Sequence, residues 1–157
     1  TGQHATTALC LRALDLLETE RGIGDLADIG CGTGILGIGA HLLGAGDIVM
    51  IDNDPLAVEV ARENLEHLGL VERFELTCSD VPPPNRQFET VVANILAPVL
   101  IRLAEALCAN VAPSGCLLLS WLLVSQIDEV EAPFLGFGLR RKRLSCEGEW
   151  ALLWLER

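Results

Sequence analysis

The amino-acid sequence predicts an α/β protein with a seven-stranded, mostly parallel sheet, one antiparallel strand and helices on both faces. Helix-like and strand-like segments alternate along most of the chain, which is typical of a parallel sheet. The strand-like segments are short apolar runs, as expected for strands that are covered on both faces. The last two, about 138–144 and 150–155, are joined by a turn too short for a parallel crossover, so we expect them to pair antiparallel.

Three helices are predicted in the first half of the chain. The first covers residues 6–20, where apolar residues recur at helical spacing: Leu9, Ala13, Leu14 and Leu17. The second covers 35–43 and is closed by Gly44. The third begins after Asp54, a typical N-cap residue, with Pro55 in the first helical position.

The remaining elements follow from the same reasoning. Apolar runs predict further strands at 26–29, 48–51, 73–77, 89–93 and 116–120. Pro98 opens a helix whose apolar face extends to Leu107. A turn is predicted at 113–115 and another helix near 125–132.

Length and charge limit the classes of function. The chain has 157 residues, which fits one domain, and half of them are apolar, enough for a core without disulfides. The net charge is −11. A chain this acidic is poorly suited to binding a phosphate backbone, and it favours a basic protein partner. We therefore expect no stable binding of nucleic acid.

The cysteine and hydropathy patterns predict a cytoplasmic protein. The six cysteines show no C-x-x-C spacing, which predicts buried, reduced thiols and no metal site. The longest apolar stretch, residues 116–124, is too short to span a membrane, for which about 20 residues are needed. The start of the chain has no secretory signal pattern.

A glycine-rich loop is the central feature of the sequence. The segment Asp28-Ile29-Gly30-Cys31-Gly32-Thr33-Gly34 leaves a predicted strand and enters a predicted helix. Glycines there permit a sharp turn and close approach of a ligand. Asp52 ends the next predicted strand, where a carboxylate can accept hydrogen bonds from ribose hydroxyls. The pattern predicts a site for an adenosine-containing ligand. The alternative is a tight turn with a capping Asp.

The identity of the adenosine ligand depends on Asp28. Gly32, Gly34 and Gly37 satisfy the dinucleotide pattern G-x-G-x-x-G, which by itself is a weak signal. A negative charge at Asp28 would repel a pyrophosphate and attract the ammonium or sulfonium group of S-adenosyl-L-methionine. We therefore expect S-adenosyl-L-methionine, with an NAD-dependent oxidoreductase as the alternative.

Asn94 is the candidate for the reaction centre. It follows a predicted strand, at the sheet edge where ligands bind in open parallel sheets. Its amide oxygen can accept an N–H from an incoming amine. The segment Asn94-Ile95-Leu96-Ala97 resembles the asparagine-first segment of amino-group methylases, in which N-P-P-Y is common. The chain contains no Tyr, so stacking of a nucleobase on a tyrosine of this loop is impossible, and this departure from the resemblance favours an aliphatic amine. The alternative is an Asn that only terminates a strand.

Two further features remain open at the level of sequence. Asp80 could contact an adenine amino group, or it could be a turn residue. The basic run at 140–143 could contact an acidic partner or RNA, but we favour a charged strand that blocks pairing at the sheet edge.

Four segments together resemble one family. The glycine loop is similar to the first motif of class I methyltransferases. The opening Thr1-Gly2-Gln3-His4-Ala5-Thr6-Thr7 resembles the T-G-x-H-x-T-T segment of the ribosomal protein L11 methyltransferase family, and Asn94-Ile95-Leu96-Ala97 and Gly148-Glu149-Trp150 resemble its N-I-L-A and G-E-W segments.

The resemblance implies roles for individual residues. It implies that Thr7, Gly30 and Asp52 contact S-adenosyl-L-methionine, with Asp52 at the ribose, and that Asn94 lies at the reaction centre. Asp28, Gly32 and Gly34 belong to the same cofactor motif. The resemblance also implies that residues 1–157 are the methyltransferase domain, without the family's separate N-terminal domain, which grips the ribosomal protein.

The expected function is therefore S-adenosyl-L-methionine-dependent N-methylation of a lysine side chain or N-terminal amine. The expected partner is a basic protein of the large ribosomal subunit, and no membrane is involved. The alternatives are an NAD-dependent oxidoreductase, a methyltransferase for RNA or a small molecule, and a cofactor-binding module without catalytic activity.

Overall fold

The central strands are apolar on both sides, and each side of the sheet is covered by its own helices. The computed structural model describes residues 2–157. Six α-helices are present in this range: α1 Gly2–Glu20, α2 Ile35–Leu43, α3 Pro55–His67, α4 Ala97–Arg102, α5 Ala104–Ala109 and α6 Ile127–Gly136. Seven strands are present: β1 Leu26–Ile29, β2 Ile48–Asp52, β3 Phe74–Cys78, β4 Phe88–Asn94, β5 Val111–Leu123, β6 Arg140–Glu147 and β7 Trp150–Glu156.

The sheet topology confirms the predicted fold class. The strand order is β3-β2-β1-β4-β5-β7-β6. The first five strands in this order pair in parallel, whereas β7 is antiparallel to both β5 and β6. The short β6–β7 turn requires these two strands to be antiparallel, and Gly148 adopts a φ of 59° there.

Side-chain alternation along the strands produces two separate cores. Leu26 and Met50 pack with α1, α2 and α3, whereas Ala27 and Ile51 face α4, α5 and α6. A strand buried on both faces has no polar side, which explains the continuous apolar runs in the sequence.

The start of α3 is determined by a local cap, whereas the start of α1 is determined by a tertiary contact. The Asp54 side chain accepts a hydrogen bond from Leu56 N at 2.9 Å, so the predicted N-cap of α3 is confirmed. In contrast, α1 begins at Gly2, and the predicted start at residue 6 is wrong. The first turn packs against the Trp150 ring, where a Cβ on Gly2 would lie only 2.2 Å from a ring carbon.

Several predicted elements in the second half differ from the structure. The helix opened by Pro98 is divided into α4 and α5 at Leu103. The segment predicted as a turn at 113–115 belongs to an irregular part of β5, where Ser114 adopts a φ of 63°. β5 also extends three residues beyond the predicted end at Ser120.

The cysteine prediction is confirmed only in part. All six cysteines are free. Four are buried, but Cys78 and Cys146 are exposed. Among the helices formed by residues 2–157, none has the length and apolar character needed to cross a membrane.

Candidate functional site

A cavity of about 380 Å³ lies at the carboxyl ends of the parallel strands. Its walls come from the segments that follow β1, β2, β3 and β4, from the end of β5 and from the first two turns of α1. Of the seven candidate site residues, five line this cavity: Thr7, Gly30, Gly32, Asp52 and Asn94. The carboxyl ends of parallel strands lie at the same edge of the sheet, and residues that are distant in the sequence therefore meet there.

The glycine loop lines the cavity with residues 30–33 and is fixed by backbone hydrogen bonds. The N–H groups of Gly30 and Cys31 both donate to Ile51 O, at 2.8 and 2.9 Å. Gly30 has a φ of 75°, and a Cβ at this position would lie 2.1 Å from Ile95 Cγ2. Gly32 has a φ of 55° with no atom within 4 Å of a Cβ position, so a ligand can approach it closely.

Asp52 is held in place by backbone donors on both carboxylate oxygens. Its Oδ2 accepts a hydrogen bond from Gly32 N at 2.8 Å, and its Oδ1 accepts one from Asp54 N at 2.9 Å. A carboxylate oxygen can accept more than one hydrogen bond. Asp52 is therefore oriented in advance and retains the capacity to accept two ligand hydroxyls.

Asp28 and Gly34 lie behind the loop rather than at the cavity surface. Asp28 is fully buried, its Oδ2 accepts a hydrogen bond from Gly37 N at 3.1 Å, and its Oδ1 has no partner among residues 2–157. Burial raises the pKa of Asp28 from 3.8 to about 7; the Gly37 hydrogen bond opposes this rise and the Asp52 charge adds to it. Gly34 is the N-cap of α2.

These placements weaken two of the sequence-based arguments. Asp28 and Gly34 do not line the cavity, so their contact with a cofactor stays a prediction without geometric support. Near neutral pH the Asp28 carboxyl is partly protonated, because its pKa is raised to about 7. Its expected repulsion of a pyrophosphate is correspondingly weaker than the sequence alone indicates.

Asn94 presents an amide oxygen without a protein partner. It is the last residue of β4, and in the sheet it pairs with Ser120 of β5. Its Oδ1 is buried and accepts no hydrogen bond within the described part of the chain. A buried acceptor without a donor costs roughly 1–3 kcal/mol, and such groups are often found at functional sites.

The first turns of α1 bring two of the segments that resemble the family into contact. Gly2 lies against Trp150 of the G-E-W segment, and this close contact positions the start of the helix. One turn apart, Gln3 and Thr7 then face the cavity. Thr1, the first residue of the opening motif, lies outside the described residues.

Sequence reasoning missed several residues that line the cavity. Gln3 lies one helical turn before Thr7, but the predicted start at residue 6 left it outside the helix. Arg102 and Trp121 also line the cavity, and neither had a recognisable motif. Asp80, which the sequence left open, lines the cavity near the end of β3.

The sheet order and the site at its carboxyl edge define a class I methyltransferase fold. A crystal structure of a ribosomal protein L11 methylase from Lactobacillus delbrueckii subsp. bulgaricus superimposes with a TM-score of 0.87 at 25% identity, over 96% of this chain and 78% of that one. The N-methyltransferase NodS from Bradyrhizobium japonicum, solved with S-adenosyl-L-homocysteine, shares the fold with a TM-score of 0.77 at 15% identity, over 96% of this chain and 86% of that one.

Sequence comparison then identifies the family. The family model described as ribosomal protein L11 methyltransferase (PrmA) matches residues 1–157, and this chain belongs to that family. A ribosomal protein L11 methyltransferase from Geobacter metallireducens is 46% identical over 98% of this chain and 50% of its own length. The one from Myxococcus xanthus is 39% identical over 100% of this chain and 54% of its own length. The chain thus spans about half the length of these curated relatives.

Proposed function

We propose that this chain is the catalytic part of an S-adenosyl-L-methionine-dependent N-methyltransferase that acts on ribosomal protein L11. The observation that carries the proposal is the position of Asp52 and Asn94 around one cavity. Asp52 ends β2 and Asn94 ends β4, and these strands flank β1 on opposite sides. A ligand held at Asp52 can therefore extend across the glycine loop towards Asn94.

The residues of the cavity fit the cofactor that the family implies. Its volume of about 380 Å³ lies in the range typical of small-molecule sites, roughly 300–1,000 Å³. Asp52 can accept both hydroxyls of a ribose, and the open side of Gly32 permits close approach to the loop. When bound, S-adenosyl-L-methionine supplies a methyl group that is activated by the positive charge on sulfur.

The role of Asn94 is to position the acceptor. The Asn94 side chain lines the cavity, and a rotation that brings its buried, unpartnered Oδ1 to the cavity surface lets it accept an N–H from a neutral amine and aim the nitrogen lone pair at the methyl group. Orientation of this kind can contribute roughly 7–11 kcal/mol to catalysis. Asn94 is not a base, so the amine must lose its proton to solvent before transfer. Apolar walls assist this step, because desolvation lowers the pKa of an amine from its usual value of about 10.4.

The identity of the substrate is supported by the family and by charge. The curated relatives are named for ribosomal protein L11. The net charge of −11 favours a basic protein over a nucleic acid. We propose that the acceptor is a lysine side chain or the N-terminal amine of that protein.

The test uses the full-length protein, with cofactor binding and methyl transfer measured separately. Calorimetric titration should detect S-adenosyl-L-methionine and not NAD. Asn94→Ala should slow single-turnover methyl transfer to ribosomal protein L11 about tenfold, as expected for a lost hydrogen bond of about 1.4 kcal/mol. Cofactor affinity should change less than about twofold.

The matched control is Asn85→Gly. This change removes an exposed amide outside the cavity, at a φ of 58° that glycine adopts readily. It should alter neither binding nor transfer. An Asn94→Ala variant that loses only cofactor affinity would contradict the positioning role, and binding of NAD alone would contradict the proposed function.

A further inference from the structure

Trp121 adopts a backbone conformation that is unusual for a bulky residue. Its φ is 60°, in the left-handed region that glycine favours. A side chain as large as indole is rarely found there, and such strain is concentrated at functional sites. Trp121 also lines the cavity and is only partly buried. Its strained conformation therefore coincides with a position at the site.

A β-bulge accounts for this conformation. Between the pairs Leu119–Leu153 and Leu122–Ala151, β5 contains two residues, Ser120 and Trp121, whereas β7 contains one. One common type of bulge has glycine in the left-handed position, and bulges near active sites redirect side chains. The hydroxyl of Ser120 donates to Ala151 O at 3.2 Å, which ties the bulge to β7.

The sheet order places Trp121 at the end of the cavity opposite Asp52. β5 lies on the far side of β4 from β1 and β2. Because Asn94 pairs with Ser120, Trp121 lies one residue beyond the reaction centre. The same end is lined by apolar side chains of the β4–α4 region: Ile95, Leu96, Val99 and Leu103.

We propose that Trp121 selects the methyl acceptor. Its indole forms a wall of the cavity against which the hydrocarbon stem of an aliphatic amine packs, while Asn94 holds the nitrogen. This inference rests on the proposed function and adds to it a residue that determines the acceptor class.

An aliphatic amine fits this end better than a nucleobase does. Trp121 is the single aromatic residue among those described residues that line the cavity, so a base would be stacked on one side only. The basic run at 140–143 is on β6, at the sheet edge beyond β7, where Arg141 pairs with Glu131 and Arg143 pairs with Glu20. None of these cations lines the cavity, and among the described residues that do, Arg102 is the one cation, fewer than an RNA backbone needs.

The experiment compares Trp121→Gly with Trp121→Phe in the full-length protein, with ribosomal protein L11 as acceptor. Trp121→Gly removes the wall and relieves the backbone strain, so we expect the acceptor KM to rise at least about tenfold while kcat changes less than about threefold. The cofactor Kd and the Tm should stay close to wild type, because Asp52 is not altered and glycine suits this φ. Trp121→Phe should keep the acceptor KM within about threefold.

The control is Phe137→Ala, which removes an exposed aromatic residue outside the cavity and should leave the acceptor KM unchanged. An unchanged KM in Trp121→Gly, an equal rise in cofactor Kd, or a Tm well below wild type would overturn the inference. If the wild-type protein does not methylate L11 at all, the proposed function fails instead.

Competition distinguishes the two acceptor classes. N-acetyl-lysine methylamide, and not cytidine, should compete with L11 for the wild-type enzyme. Any other pattern overturns the assignment to an aliphatic amine.

Discussion

Replacement of Asp52 by alanine should weaken binding of S-adenosyl-L-methionine without unfolding the protein. The carboxylate is oriented by Gly32 N and Asp54 N, and it retains acceptor capacity for two ribose hydroxyls. Alanine removes both of the proposed ligand contacts. It also releases the Gly32 amide, so the glycine loop loses part of its alignment.

The magnitude follows from the number and type of hydrogen bonds. A hydrogen bond to a charged group contributes roughly 1.5–3 kcal/mol net, so two such bonds contribute at least about 3 kcal/mol. Asp52 is only partly buried, and we therefore take the lower value. A loss of about 3 kcal/mol corresponds to an affinity roughly a hundredfold weaker.

The assay is isothermal titration of the full-length protein with S-adenosyl-L-methionine. Asp54→Ala is the matched control, because Asp54 caps α3 through Leu56 N but does not line the cavity. It should cost about 1 kcal/mol of stability and leave cofactor affinity unchanged. A folded Asp52→Ala variant whose Kd stays within about threefold of wild type would refute the ribose assignment.

Two further predictions concern the stability of the site. Gly30→Ala would place a Cβ 2.1 Å from Ile95 Cγ2 at a φ of 75°. The free energy of unfolding in urea should therefore fall by roughly 2–5 kcal/mol. In Gly32→Ala no atom lies within 4 Å of the new Cβ, so the free energy of unfolding should fall only by the cost of the positive φ. Equal losses in the two variants would contradict this reasoning. The second prediction concerns pH: burial raises the pKa of Asp28 from 3.8 to about 7, so the native state keeps a proton that the unfolded chain has released between these values. Stability should thus fall as pH rises from about 4 to 7, by up to roughly 4 kcal/mol from this group, and not fall further above pH 7. The difference in unfolding free energy between wild type and Asp28→Asn should follow this curve, and a constant difference would show that Asp28 titrates normally.

The sequence predicted the parts of the fold that local chemistry determines. β1 and α2 have the predicted bounds, because a short apolar strand, a glycine loop and a closing Gly44 leave few alternatives. α3 begins where Asp54 and Pro55 indicate. The antiparallel position of β7 follows from the length of one turn. The places of Asp52 and Asn94 at the ends of β2 and β4 were predicted correctly, because strand ends are recognisable in a sequence.

The side of the sheet to which a strand residue points was decided by the tertiary structure. Asp28 was expected to face a ligand, but in the pleat it points with Leu26 towards the core beneath α2. When both faces of a strand are buried, its residues are apolar on both sides. The sequence of such a strand therefore does not indicate which face of the sheet a given residue points to. The position of Asp28 and the rise in its pKa therefore depend on packing.

Long-range contacts also decided where two elements begin and end. The first turn of α1 depends on the close approach of Gly2 to Trp150, about 150 residues later in the sequence. The end of β5 depends on pairing with β7, which forms the bulge and turns Trp121 into the cavity. The local sequence predicts neither the start of α1 nor the conformation of Trp121, because glycine normally disfavours a helix and tryptophan normally disfavours a positive φ. In both cases the free energy of a tertiary contact exceeds the local preference, and so the shape of the cavity near Trp121 was determined only by the folded chain.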